Sequence, residues 1–296
     1  MPTFRYEDLP GAEHIRLLEV NSHPDSDRNS IRGVLKTISI RDCPDYVAVS
    51  YRWRPNDEYE EILLDGKIFK IRKNLLRLLQ TILVPGESLV VWIDAICIDQ
   101  NNLEERASQV RIMKKVFSRA IYALAWFDNI NPEVFQTAAD FLTTTTSGDV
   151  TAVQKALHSE DGWFALEQLL LADYWSRTWI VREVLVPESV ILQCSSSSLP
   201  LTYLEDMIVR VAGSLPKDSL PYRHWKQLAD TDAVRLCAHR SHSRSSSLMT
   251  FKELLQLYAH FECTDVRDKV YALIDLCRPM PDAISVDYNH TRGQVL

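Results

Sequence analysis

Glycine is scarce in this chain: eight residues in 296, none of them in a GxGxxG or GxxxxGK[ST] arrangement. A backbone cradle for nucleotide phosphates needs glycines at those spacings, so neither a Rossmann phosphate loop nor a P-loop is expected. No apolar run approaches the roughly 20 residues that cross a bilayer, so no membrane span is expected. The N-terminus, MPTFRYEDLPGAEHIRLLEV, carries charges where a secretory leader needs an apolar centre. That composition predicts a cytoplasmic protein. Cysteine is sparse and irregular (Cys43, Cys97, Cys194, Cys237, Cys263, Cys277), which reads as reduced thiols rather than a disulfide framework. A basic stripe is also missing. The 33 Lys and Arg are scattered among 40 acids, for a net charge of −7, which disfavours a nucleic-acid partner. No internal repeat is visible.

What is present alternates. YVAVSY (46–51), SLVVWIDAICI (88–98), IYALAWF (121–127) and SVILQC (189–194) are short apolar, β-branched or aromatic runs. Near-continuous apolar runs suit strands buried on both faces, as in a parallel sheet. Helical periodicity falls between them. NLLRLLQTIL (74–83) stops before Pro85-Gly86, and 103–119 carries Leu103, Ala107, Val110, Met113 and Phe117 on one stripe. Asn102 followed by Glu105 predicts a capping box. This order predicts an α/β fold with a parallel sheet flanked by helices.

Two insertions break the alternation. The first, about 56–72, contains Asp65-Gly66 between apolar runs, the signal for a two-residue hairpin. The second, about 129–175, holds TTTTSGD (143–149), read as a flexible tip, and then an amphipathic DGWFALEQLLLADYW. Beyond residue 200 the periodicity is helical in LTYLEDMIVRVAG, HWKQLADTDAVRLCAHR, TFKELLQLYAHF and VRDKVYALIDL, with SHSRSSS (241–247) as a polar loop. The expected division is an α/β core over 1–200 and a helical part over 201–296 packed on it. GQVL at the end reads as the start of another helix.

In open α/β sheets ligands gather beyond the carboxyl ends of the strands. Tyr51, Arg52, Trp53 and Arg54 follow the first run, Asp94 follows LVVWI with Asp99 and Gln100 beyond it, and Asp128 follows IYALAW. Aromatic and mixed-charge side chains on one edge suit a planar, phosphate-bearing ligand. In RTWIVREVL (177–185), Trp179 and Glu183 lie four apart and share a helix face. Each has a plainer reading: Trp179 as core, Glu183 as a solvated helix residue, Asp94 as a cap, Arg52 as an ion-pair partner, Tyr51 and Trp53 as packing. Other constellations are weaker. Cys237, His239 and His242 lack a zinc spacing and a fourth ligand, so no metal is expected. Cys97 has no histidine set by sequence, and SSSS (195–198) lacks the GxSxG elbow.

YVAVSYRW, VVWIDAICIDQNNLEERASQVRIMKKVFSRAIYALAWF, RTWIVREVL, TDVRDKVYALIDL and ISVDY, in that order over about 46–288, resemble the heterokaryon-incompatibility (HET) domain of filamentous fungi. The sequence departs from the family pattern at Arg54, where Gly is usual, at Asp99, where Asn is common, and at Arg182, where Gln is common. More distantly, SYRW, the VVWID strand and the WIVRE helix resemble Toll/interleukin-1 receptor (TIR) domains that cleave NAD. That resemblance implies a flavodoxin-like, TIR-like core acting in cell death after non-self recognition. It further implies NAD as substrate rather than cofactor, hydrolysed at the nicotinamide–ribose bond, with Glu183 as the catalytic carboxylate. Trp179 would stack on the nicotinamide or ribose. Ser50, Tyr51, Arg52 and Trp53 would line the cleft, with Arg52 near phosphate, and Asp94 would orient a hydroxyl. Self-association, and contact with other incompatibility proteins, are implied as well. The alternative is a HET module that assembles and recruits effectors without catalysis.

Overall fold

The structure is a computed structural model and describes residues 1–21, 31–54, 58–84, 86–243, 249–277 and 286–289. Pro85, the GQVL end and the 244–247 part of SHSRSSS lie outside the described residues.

Among the described residues, nine strands form one sheet. They are β1 (His14–Asn21), β2 (Arg32–Ser39), β3 (Val47–Tyr51), β4 (Tyr59–Leu64), β5 (Lys67–Arg72), β6 (Ser88–Trp92), β7 (Tyr122–Trp126), β8 (Val190–Cys194) and β9 (Ser197–Pro200), ordered β5-β4-β2-β1-β6-β3-β7-β8-β9. The four apolar runs make the parallel centre, β6-β3-β7-β8. Taken by position in the chain, these four are ordered 2-1-3-4, as in a flavodoxin-like sheet. All five residues of β3 are buried, as a strand covered on both faces requires.

The sheet is larger and more mixed than the apolar runs predict. β1 joins β6 antiparallel, β2 joins β1 antiparallel, and the 56–72 insertion adds β4 and β5 at the far edge. Strand β1 hides from a hydropathy reading because Arg16 sits inside it. That arginine is 2% exposed and donates to both carboxylate oxygens of Glu105, at 2.5 and 2.9 Å. The hairpin turn matches expectation: Asp65 and Gly66 have φ of 51° and 72°, the left-handed pair that a two-residue turn needs.

Strand β6 ends at Trp92, earlier than the 88–98 run suggests. Asp94 Oδ1 accepts from the Ala95 amide at 2.7 Å and opens the short helix α2 (Asp94–Cys97). Helices α1 (Lys73–Ile82) and α3 (Leu103–Arg119) lie where periodicity places them. Asn102 caps α3 by accepting from the Glu104 and Glu105 amides. The reciprocal half of the box does not form, because Glu105 is taken by Arg16 and by the Asp99 amide at 2.7 Å.

The 129–175 insertion folds into α4 (Pro132–Thr145), α5 (Val150–Leu157) and α6 (Glu160–Leu170), followed by a 3₁₀ turn, Asp173–Ser176. TTTT is not a loop tip. Thr143, Thr145 and Thr146 donate their hydroxyls back to carbonyls four residues earlier and carry the helix through to Thr145. Next come α7 (Ile180–Leu185), α8 (Thr202–Asp206), α9 (Leu220–Leu228), α10 (Asp232–Ser243), α11 (Phe251–Tyr258) and α12 (Asp268–Tyr271). All nine strands precede residue 201, yet Leu204, Leu228, Leu236 and Leu254 share one apolar cluster with Val49 and Leu124. Among the described residues no helix is long and apolar enough to cross a membrane.

Gly162 in α6 permits a close approach. A Cβ there would lie 2.3 Å from Cδ2 of Phe141, whose buried ring is held edge-on to Trp163. Helix propensity alone would make Gly162→Ala stabilising by about 1 kcal/mol. Overpacking should outweigh it at about 1–3 kcal/mol. Urea denaturation should therefore show Gly162→Ala to be the less stable protein; equal or greater stability would sink this account of the α4–α6 contact.

Candidate active site

The carboxyl ends of the parallel strands and the face of α7 meet in a buried polar cluster. Ser50, next to last in β3, donates a hydrogen bond to Oε2 of Glu183 on α7. Its hydroxyl also lies 2.6 Å from that of Tyr174, in the 3₁₀ turn. Ser50 has one proton to give, so Tyr174 donates to Ser50 and Ser50 donates to the carboxylate. Arg177 Nη1 lies 3.9 Å from Glu183 Oε2 and donates to the Tyr51 carbonyl. Asp94, just beyond β6, accepts from the Trp53 indole at 3.3 Å. Ser50 and Glu183 are 1% and 4% exposed, so the cluster lies beneath the surface.

Glu183 is held from several directions. Before it, Thr178 is stitched to the chain at 261–262: its amide donates to the Glu262 carbonyl at 2.9 Å, and the Glu262 amide donates to the Ser176 carbonyl at 2.6 Å. Next to it, Arg182 is 1% exposed and donates to the carbonyls of Val110 (3.0 Å) and Tyr271 (2.5 Å) while pairing with Asp275 at 2.9 Å. Beyond it, Arg240, also 1% exposed, donates to the carbonyls of Val184, Pro187 and Glu188 at 2.7, 2.7 and 2.8 Å. A guanidinium at that end satisfies carbonyls that the helix leaves open and opposes its negative pole.

The expected residues divide. Ser50, Asp94 and Glu183 come together, with Trp53 attached through Asp94. Tyr51 is buried and contributes its carbonyl to Arg177. Arg52 is taken up by the Asp173 carbonyl at 2.5 Å, Ser176 at 2.9 Å and Glu262 at 2.9 Å. Arg54 is bidentate with Asp128 at 2.5 and 3.1 Å and also reaches Asp173 at 2.6 Å. Trp179 and Glu183 are four apart, but their polar atoms bond different partners. The Trp179 indole donates to Asp268 at 3.1 Å, and its ring packs with Tyr271 and Tyr288. Tyr174 and Arg177 were missed from sequence. Arg177 opens the same RTWIVREVL segment, but nothing in that segment shows which way its side chain turns.

The weaker constellations also have partners. His239 Nδ1 lies 2.6 Å from the Tyr258 hydroxyl, and burial pushes the Cys97 thiol up to about 12. Among the described residues no group of three or more His, Cys, Asp or Glu is placed to hold a metal ion.

A family model described as heterokaryon incompatibility protein (HET) matches residues 46–183. Residues 46–183 are thus similar to a HET domain. The match opens one residue before β3 and closes on Glu183, so it brackets the contact between Ser50 and Glu183. TDVRDKVYALIDL and ISVDY, included in the resemblance by sequence, lie beyond the matched span. Heterokaryon incompatibility protein 6, OR allele, of Neurospora crassa is 34% identical to this chain over 128 residues. That stretch is 38% of this chain and 18% of the Neurospora protein, so the chain matches a small part of that relative. No solved structure matches the chain.

Within the cluster, burial acts on the Asp94 carboxyl. Burial, and then the charge of Glu183, push its carboxyl up from 3.8 to about 6, against the pull of Arg177, the Trp53 indole and the Ala95 amide. The fold therefore keeps a proton that the unfolded chain releases between about pH 4 and 6. That contribution to stability is complete below the unfolded value and is lost as pH rises through about 6. Asp94→Asn keeps the acceptor oxygen and removes the titration. Urea denaturation across about pH 4–7 should show wild type losing on the order of 2 kcal/mol relative to the variant. Parallel stability curves would refute the assignment.

Proposed function

We propose that this chain acts in fungal non-self incompatibility, in the cytoplasm, and that its HET domain hydrolyses NAD at the nicotinamide–ribose bond after self-association. The observation that supports this most is the Glu183 carboxylate, fixed by Ser50 at the carboxyl ends of parallel strands, where α/β sheets bind ligands. Nicotinamide leaves NAD as a neutral base, so its departure needs no strong acid. The C1′–N bond breaks with its electron pair going to the ring nitrogen. C1′ gains oxocarbenium character that a nearby carboxylate stabilises. Water then adds at C1′ and loses a proton, giving ADP-ribose. Glu183 takes the stabilising role, Ser50 and Arg177 position it, and Asp94 orients a ribose hydroxyl.

One observation favours a second reading. Glu183 is 4% exposed and Arg52 is fully engaged by Asp173, Ser176 and Glu262, so NAD reaches this cluster only after a local opening. A HET module that assembles and recruits effectors needs no such opening, and there Glu183 is a structural residue.

The deciding measurement is nicotinamide release by concentrated, assembled protein, with circular dichroism to confirm that each variant folds. Hydrolysis by wild type should fall about 10²-fold or more in Glu183→Gln, the scale of removing a transition-state electrostatic group. No release from assembled wild type, or full activity in Glu183→Gln, selects the non-catalytic module.

A further inference from the structure

The insertion between β7 and α7 carries a second feature, separate from the Glu183 cluster and independent of the proposed activity. A cavity of about 210 Å³ lies between α6 and α9, lined by Glu160, Trp163, Phe164, Glu167, His224, Gln227 and Leu228. Its floor is rigid. The Trp163 indole donates to the Leu157 carbonyl at 2.8 Å, and the His224 ring stacks on it at 5.5 Å and 15°. His224 Nε2 lies 3.4 Å from Glu160, while the Glu167 carboxylate makes no hydrogen bond or ion pair among the described residues. A half-buried carboxylate facing a cavity without a partner calls for a cation.

Phe164 on the cavity wall, and Leu171 one turn beyond Glu167 on the same face, add an apolar requirement. Phe164 and Leu171 are 55% and 59% exposed. Phe164, Glu167 and Leu171 follow the i, i+3, i+7 spacing of one helix face. Arg223 and Lys226 of α9 do not line the cavity. A free small amine would satisfy Glu167 and leave the apolar rim wet. A basic side chain with an apolar neighbour satisfies both, the cation at Glu167 and the apolar residue against the exposed Phe164.

We propose that the cavity between α6 and α9 docks an arginine or lysine side chain presented, beside an apolar residue, by a partner protein. The test is an amide-resolved NMR titration of the full chain with acetyl-Leu-Arg-amide, against acetyl-Leu-Glu-amide as control. Saturable shifts confined to α6 and α9 are expected with the arginine probe. Affinity should weaken about tenfold or more in Glu167→Gln, and also in Phe164→Ala, with melting temperatures unchanged. An equal response to both probes, or wild-type affinity in Glu167→Gln, overturns the proposal. So does a wild-type dimer in sedimentation that Glu167→Gln dissolves, since a second copy of this chain would then occupy the face.

Discussion

Helix α7 has six residues, and a helix that short does not hold its shape in water by itself. Its position is therefore a property of its anchors. Arg182 ties its middle to α3 and to the Tyr271 carbonyl, Arg240 closes its C-terminal end, and Thr178 fastens the approach to Phe261 and Glu262. Both arginines are 1% exposed. Buried charges are stable only when fully paired, and removing one partner costs about 3–5 kcal/mol. These anchors are thus all-or-none, and they set where the Glu183 carboxylate sits relative to Ser50.

Carbonyl oxygens do most of that pairing. Arg240 meets three carbonyls with short contacts and one carboxylate, Glu205, at 3.0 Å. Carbonyls satisfy a guanidinium fork without bringing further charge into the interior. The Glu183 cluster has the opposite balance. Two carboxylates, Asp94 and Glu183, share the influence of Arg177, and the result appears at Asp94, whose acid form persists to about pH 6. Burial shifts both regions: it lowers the Arg182 guanidinium and raises the Asp275 carboxyl, as it raises Asp94 in the cluster. Such shifts are common where a site has chemistry or binding to perform, though ion-pair networks also produce them.

Period and residue type made the centre of the fold legible. β3, β7, β8, α1 and α3 follow from apolar runs, helical stripes and the Asn102 cap, because each is decided by local pattern and burial. β1 was hidden because Arg16 is buried in a strand, and its main partner, Glu105, lies 89 residues away, with the Cys97 and Glu7 carbonyls helping. The four threonines looked like a loop because nothing local reveals that the hydroxyls of Thr143, Thr145 and Thr146 bond back to carbonyls four residues earlier. The candidate site was half legible. Strand order placed Asp94 on the ligand edge, while Ser50 and Glu183 entered through the TIR resemblance. Neither could show that Trp179 bonds Asp268, also 89 residues on, since a shared helix face does not fix where two side chains point.

The anchoring also determines which wall of the cluster gives way at least cost. Local opening takes the elements with the fewest buried contacts first. Moving α7 would expose Arg182 and Arg240, both deeply buried. On the other side the cluster is covered by the residues after β3, held by Arg52 and Arg54, whose side chains are 23% and 28% exposed in their pairs with Asp173, Glu262 and Asp128. Partly exposed ion pairs are screened by water and salt more than fully buried ones are. Any local opening of the cluster is therefore cheapest on the Arg52–Arg54 side, with the Glu183 carboxylate staying fixed. The same comparison explains how a buried acid can be held in place without being sealed in: its helix is locked by buried charge, and its cover by charge that water already reaches.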